Sequence, residues 1–123
     1  MNIGIVIVDH GSRMAESNAL LERVGRAFGE RFQERFPIVE PAHMEMAKPS
    51  IADAYHRCVE RGAKHVVVVP YFLGRGKHWS EDIPNLAKAA AAEHPGTTFR
   101  VTDCLGFDEG ILDILARRID QAE

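Results

Sequence analysis

Two stretches of the chain carry no charged or hydrogen-bonding side chain: Ile3-Gly4-Ile5-Val6-Ile7-Val8 and Val66-Val67-Val68-Val69. A strand with one wet face alternates apolar and polar residues, so unbroken β-branched runs belong to strands covered on both sides. Helices supply that cover, and the intervening sequence encodes them. Between Ala15 and Phe36, Leu20, Leu21, Val24, Ala27, Phe28 and Phe32 recur at helical spacing, with Glu22, Arg23, Arg26, Glu30 and Arg31 on the other side. Pro37 helps to stop that helix. Ile38 to Met46 reads as a second strand, with Ala42, Met44 and Met46 alternating against His43 and Glu45. Pro41 favours an edge position for it.

A second helix opens at Pro49-Ser50-Ile51 and runs to about Arg61, where Gly62 closes it. His65 to Phe72 is the third strand and a central one. Ser80 to Glu93 is helical, Thr98 to Asp103 is a fourth strand, and Asp108 to Gln121 is a last amphipathic helix bearing Ile111, Leu112, Ile114, Leu115 and Ile119. Strands alternating with helices need right-handed crossovers, which give a parallel sheet with helices on both faces. The expected fold is α/β, a three-layer sandwich around a four-stranded parallel sheet. A length of 123 residues suits one domain, 1–123, with no internal repeat and no linker.

Composition removes several functions. At a net charge of −3 the molecule lacks the basic field with which nucleic-acid binders engage phosphates. Cys58 and Cys104 lie far apart and form no C-x-x-C pair, so neither a disulfide framework nor a zinc knuckle is expected. The first apolar run lacks a basic start and reaches Asp9-His10 before a signal core or a membrane span is complete. A cytoplasmic protein without membrane attachment is the expectation.

Open parallel sheets bind ligands outside the carboxyl ends of their strands. Asp9-His10-Gly11-Ser12-Arg13 follows the first strand, His43-Met44-Glu45 ends the second, and Gly74-Arg75-Gly76-Lys77-His78-Trp79 follows the third. His10, Glu45 and His78 are thus 35 and 33 positions apart, one βα unit each time, and fall on one edge. Two imidazoles and a carboxylate suit a first-row divalent metal, and open coordination positions permit transfer as well as storage. Glu45 is equally suited to accept a proton. His56, His65 and His94 read as surface residues, and His43 as a supporting residue near Glu45.

The same loops carry Arg13, Lys48, Arg75 and Lys77, a basic rim on an acidic protein that, with Ser12 and Ser50, suits a ligand bearing many carboxylates. Trp79, Tyr71 and Phe72 offer a flat apolar wall, although Tyr71 and Phe72 serve equally well as core or dimer contacts. Rival motifs fail. Gly74-Arg75-Gly76-Lys77 lacks Walker A spacing, no G-x-G-x-x-G follows the first strand, and no G-x-S-x-G surrounds a serine. ATP is therefore not expected. A non-catalytic carrier of the metal or of that ligand and a His10-dependent phosphoryl-transfer enzyme remain as alternatives to an enzyme that transfers the metal.

Four segments resemble the CbiX/SirB sirohydrochlorin chelatases, especially the plant-like ferrochelatases. They are Val8-Asp9-His10-Gly11-Ser12-Arg13 with Asn18, Ala42-His43-Met44-Glu45-Met46-Ala47-Lys48-Pro49-Ser50-Ile51, Val69-Pro70-Tyr71-Phe72-Leu73, and Gly76-Lys77-His78-Trp79-Ser80-Glu81-Asp82-Ile83-Pro84. The resemblance implies a chelatase-like, flavodoxin-like half and insertion of Fe²⁺ or Co²⁺ into sirohydrochlorin for siroheme or cobalamin synthesis. It casts His10 and His78 as metal-binding histidines and Glu45 as their acidic partner. It also implies a homodimer with the tetrapyrrole between its halves. Some plant relatives end in a cysteine-bearing iron-sulfur segment that this sequence lacks, so no cluster is expected. Leu105-Gly106-Phe107-Asp108 stands where relatives often carry a histidine.

Overall fold

The computed structural model describes residues 2–77 and 79–122. The elements run β1 (Ile3–Asp9), α1 (Ala15–Arg31), β2 (Ile38–His43), α2 (Ile51–Glu60), β3 (His65–Pro70), α3 (Trp79–Ala92), β4 (Thr98–Val101) and α4 (Glu109–Gln121). All strand pairs are parallel, in the order β2-β1-β3-β4. The two uninterrupted apolar runs therefore occupy the two interior strands, as expected of strands that see no solvent on either face. Val6, Val8, Val66 and Val68 project toward α2 and α3, where Ile51, Tyr55, Ile83 and Ala87 complete a fully buried cluster. Ile5, Ile7 and Val67 project the other way, onto Leu21 of α1.

Several ends differ from the sequence expectation for local reasons. α1 stops at Arg31 instead of Phe36. The residue before a proline is driven out of helical geometry, and the Phe36 N–H closes a turn onto the Phe32 carbonyl at 2.7 Å while its ring stacks on Phe28. The inner face of α1 is also narrower than its hydrophobic spacing suggests. Leu20 and Ala27 are exposed, whereas Glu22, expected on the solvent side, turns inward. β2 ends at His43 and not at Met46, because the chain folds back and the His43 N–H donates to the Pro49 carbonyl at 2.8 Å. β3 ends at Pro70, two residues early, and β4 at Val101, also two residues early.

α2 begins with a reciprocal cap. Ser50 Oγ accepts from the Asp53 N–H at 3.1 Å, and Asp53 accepts from the Ser50 N–H at 3.0 Å. The backbone bond from Ser50 is the main reason the Asp53 carboxyl lies below its ordinary range. Ser50→Ala is expected to cost about 1 kcal/mol, read as a fall of a few degrees in Tm.

α4 buries none of its residues. Leu115 is 56% and Ile119 72% exposed, and an open groove of about 920 Å³ runs between the helix and Tyr71, Leu73 and Leu105. On that side β4 presents Thr98 and Arg100, both exposed, which give an apolar helix nothing to pack on.

Candidate metal centre

β1 and β2 deliver their last residues side by side, with Asp9 opposite His43 in the parallel register. Beyond them the pairing continues for two more bonds, from the Met44 N–H to the Asp9 carbonyl at 2.9 Å and from the Glu45 N–H to the His10 carbonyl at 3.2 Å. This ladder brings His10 and Glu45 together, with His10 Nε2 at 3.6 Å from Glu45 Oε2. Both side chains are more than half exposed, so the pair is open to a ligand from solution. Gly11 allows the approach. Its φ of +89° lies in the left-handed region, and a Cβ there would fall 1.8 Å from the Glu45 carbonyl oxygen.

Behind the pair an aromatic stack rises from the end of β3. The Phe72 ring meets His10 edge-on at 5.7 Å and stacks on Trp79 at 4.5 Å. Trp79 is buried, so the ring of this stack that meets the candidate ligand is Phe72, with Trp79 supporting it from behind. Tyr71 packs into the cluster on the α1 side.

Among the described residues, His43 is the buried polar residue of the core. Its Nδ1 lies 2.7 Å from Asp9 Oδ1 and its Nε2 3.0 Å from Glu22 Oε2. A neutral imidazole has one N–H, so only the imidazolium donates to both carboxylates. Burial opposes that charge, but the hydrogen bonds and charges of Glu22 and Asp9 outweigh it and raise the His43 pKa above its ordinary value. Asp9 and Glu22 carried no recognisable role in the sequence. The only available signals were an Asp ending a buried strand and an acid one position after the buried Leu21. Of the three histidines read as surface residues, His56 is exposed, whereas His65 and His94 are half-buried.

The rim cations are placed unequally. Arg13, Lys48 and Lys77 are exposed. Arg75 is also exposed but donates to Asp103 at 3.0 Å, a bond that raises the Arg75 pKa and lowers that of Asp103. An exposed pair of this kind is held weakly and exchanges readily for another carboxylate. Ser12 has its N–H on Asn18 Oδ1 and its hydroxyl accepting from Met14 N–H, and the Ser50 hydroxyl is occupied in the α2 cap. Burial pushes the Cys58 thiol up to about 12, which disqualifies it as a ligand. Among the described residues no group of three or more His, Cys, Asp or Glu side chains is arranged to hold a metal. His78, the third member of the set read from the sequence, lies outside the described residues.

The fold has counterparts among known proteins. The CbiX family model matches residues 4–122. The chain belongs to the CbiX family. It is 52% identical over 116 residues to the chloroplastic sirohydrochlorin ferrochelatase of Arabidopsis thaliana, a match covering 94% of this chain and 51% of that protein. The chain thus spans about half the length of that relative. It is 33% identical over 120 residues to the sirohydrochlorin cobaltochelatase of Sulfolobus acidocaldarius, covering 98% of this chain and 92% of that one. The crystal structure of the sirohydrochlorin chelatase SirB from Bacillus subtilis subspecies spizizenii in complex with cobalt superposes with a TM-score of 0.81 at 28% identity, over 99% of this chain and 51% of that chain. Among the described residues of this CbiX-family chain, no helix is long and apolar enough to cross a membrane.

Proposed function

We propose that this chain is a sirohydrochlorin chelatase, an ATP-independent lyase that inserts Fe²⁺ or Co²⁺ into sirohydrochlorin for siroheme or cobalamin synthesis. The observation that carries the reading is the exposed His10–Glu45 pair beside the Phe72 ring, in a chain 52% identical to a sirohydrochlorin ferrochelatase.

Insertion exchanges one M²⁺ for the two protons on the inner pyrrole nitrogens. The residues must therefore present the metal and remove protons. His10 Nε2 and His78 offer imidazole nitrogen to the incoming ion, and Glu45 either shares that task or accepts the departing protons from its solvent-facing position. The macrocycle lies over the edge against Phe72, with Trp79 behind. Its carboxylates meet Arg13, Lys48 and Lys77 and displace Asp103 from Arg75, while Ser12 holds the loop that carries Arg13.

The edge is open, and the apolar stripe of α4 is uncovered. Both features support a homodimer in which a second copy closes over the tetrapyrrole. Only the metal substrate is required, with no ATP and no iron-sulfur cluster. We place the protein in the cytoplasm, where its thiols stay reduced and metal and tetrapyrrole meet. Nucleic acid and membrane are not partners.

The test is turnover. Protein at a small fraction of the sirohydrochlorin concentration, mixed anaerobically with Fe²⁺ or Co²⁺, is expected to convert the porphinoid absorption spectrum completely and many times per subunit. Conversion that stops at one equivalent per site would identify a carrier instead. Ni²⁺ run in parallel at limiting concentration ranks the metals.

A further inference from the structure

His43 takes no part in the chemistry above, yet it is fully buried and both its ring nitrogens are engaged. Those contacts make it unavailable as a ligand. They also tie together three elements that meet behind the metal pair: Asp9 ends β1 and immediately precedes His10, His43 ends β2 two residues before Glu45, and Glu22 projects from α1. The loop after His43 is short of other anchors. It departs through exposed Glu45 and Met46, the latter at a φ of 68°, and is held by the His43 N–H on the Pro49 carbonyl and by the two bonds reaching back to Asp9 and His10.

We propose that His43 is a positioning residue for metal capture: its clamp between Asp9 and Glu22 fixes the ends of β1 and β2 so that His10 and Glu45 stand preformed as a pair. A preformed pair binds an ion without first losing the freedom of two loops, and outer groups that orient ligands typically govern affinity over a ten- to hundredfold range. The proposal rests on the reading of His10 and Glu45 as the metal's receivers.

The test measures Co²⁺ affinity by absorption titration of the protein without tetrapyrrole, and KM for metal against kcat in the insertion assay. His43→Phe fills the volume without hydrogen bonds, and Glu22→Gln is a gentler variant that keeps the fold if His43→Phe does not. Tyr55→Phe serves as the control. It removes the hydroxyl's bond to Thr97 Oγ1 (2.8 Å) at the opposite end of the sheet and should lower Tm without touching the site.

His43→Phe is expected to weaken Co²⁺ binding roughly tenfold or more and to raise KM for metal by more than it lowers kcat, with Glu22→Gln between it and the wild type. Tyr55→Phe should leave Co²⁺ affinity unchanged. If His10→Ala loses Co²⁺ while both clamp variants bind it as the wild type does, the positioning role is wrong and the metal pair stands. If His10→Ala itself binds Co²⁺ normally, the metal pair is wrong and the proposal falls with it. Equal loss of affinity in Tyr55→Phe and His43→Phe would reduce the effect to general destabilisation and overturn the proposal.

Discussion

A protein carrying His10→Ala together with Glu45→Gln is expected to insert Fe²⁺ or Co²⁺ into sirohydrochlorin roughly a thousandfold more slowly than the wild type, with Tm almost unchanged. The stability half follows from exposure. Both side chains stand more than half in water, and a 3.6 Å contact between such groups contributes little to folding. The activity half follows from the exchange itself, which needs a ligand to deliver the ion and a group to take the protons. The single variants separate these tasks. His10→Ala should weaken Co²⁺ binding in the absence of tetrapyrrole. Glu45→Gln keeps a carbonyl oxygen but cannot accept a proton, so normal Co²⁺ affinity with insertion slowed about a hundredfold assigns Glu45 as the base. Parallel losses in affinity and rate assign it as a ligand. The two losses should not multiply in the double variant if both residues serve one step. Turnover in the double variant within about threefold of wild type would remove this pair from the mechanism.

What made the fold legible was the absence of alternation in β1 and β3. Residues such as Val66 to Val69 leave no face for water, so the sequence alone demanded helices above and below, and with them the parallel order. What escaped was decided by contacts that periodicity does not register. Glu22 sits where a helical wheel sends it to solvent, but the buried His43 draws it in, and one hydrogen bond outweighs a side chain's average preference. Phe36 lies on the hydrophobic spacing of α1, yet the chain ahead of Pro37 turns so that its ring stacks on Phe28. α4 is the opposite case. Its apolar stripe is plain in the sequence, but a stripe states that cover is needed and not which surface supplies it.

The meeting of His10 and Glu45 was legible for a related reason. A βα unit has a nearly fixed length, so residues one unit apart return to the same edge, and His10 and Glu45 meet there. The charge pattern of the rim was less informative. Arg75 reads like Arg13 and Lys77 in the sequence, and only the fold brings Asp103 from the end of β4 to neutralise it. Trp79 shows the same limit, since its size suggested a surface wall whereas the ring lies beneath Phe72 in the space that Gly76 leaves by lacking a Cβ. In both cases the deciding contact is made by a partner that the composition does not single out.

Gly11→Ala is expected to lower Tm by about 10 °C or more and to abolish metal insertion even well below the new Tm. Two costs add. A φ of +89° is unfavourable for any residue with a Cβ, and the Cβ itself would lie 1.8 Å from the Glu45 carbonyl oxygen, where the obstacle is backbone and has no rotamer to yield. Relief requires the loop after β2 to move off the end of β1. That movement breaks the Glu45 N–H bond to the His10 carbonyl first and the Met44 bond to Asp9 next. His10 and Glu45 are therefore separated by the same displacement that relieves the clash, which is why activity should fail before the fold does. Gly62→Ala isolates the first cost. Its φ is +104°, but nothing lies within 4 Å of the added carbon, so it should lose only about 1 kcal/mol and retain full insertion. A Gly11→Ala protein matching Gly62→Ala in both Tm and turnover would show that the close approach of the two loops does not hold His10 and Glu45 together.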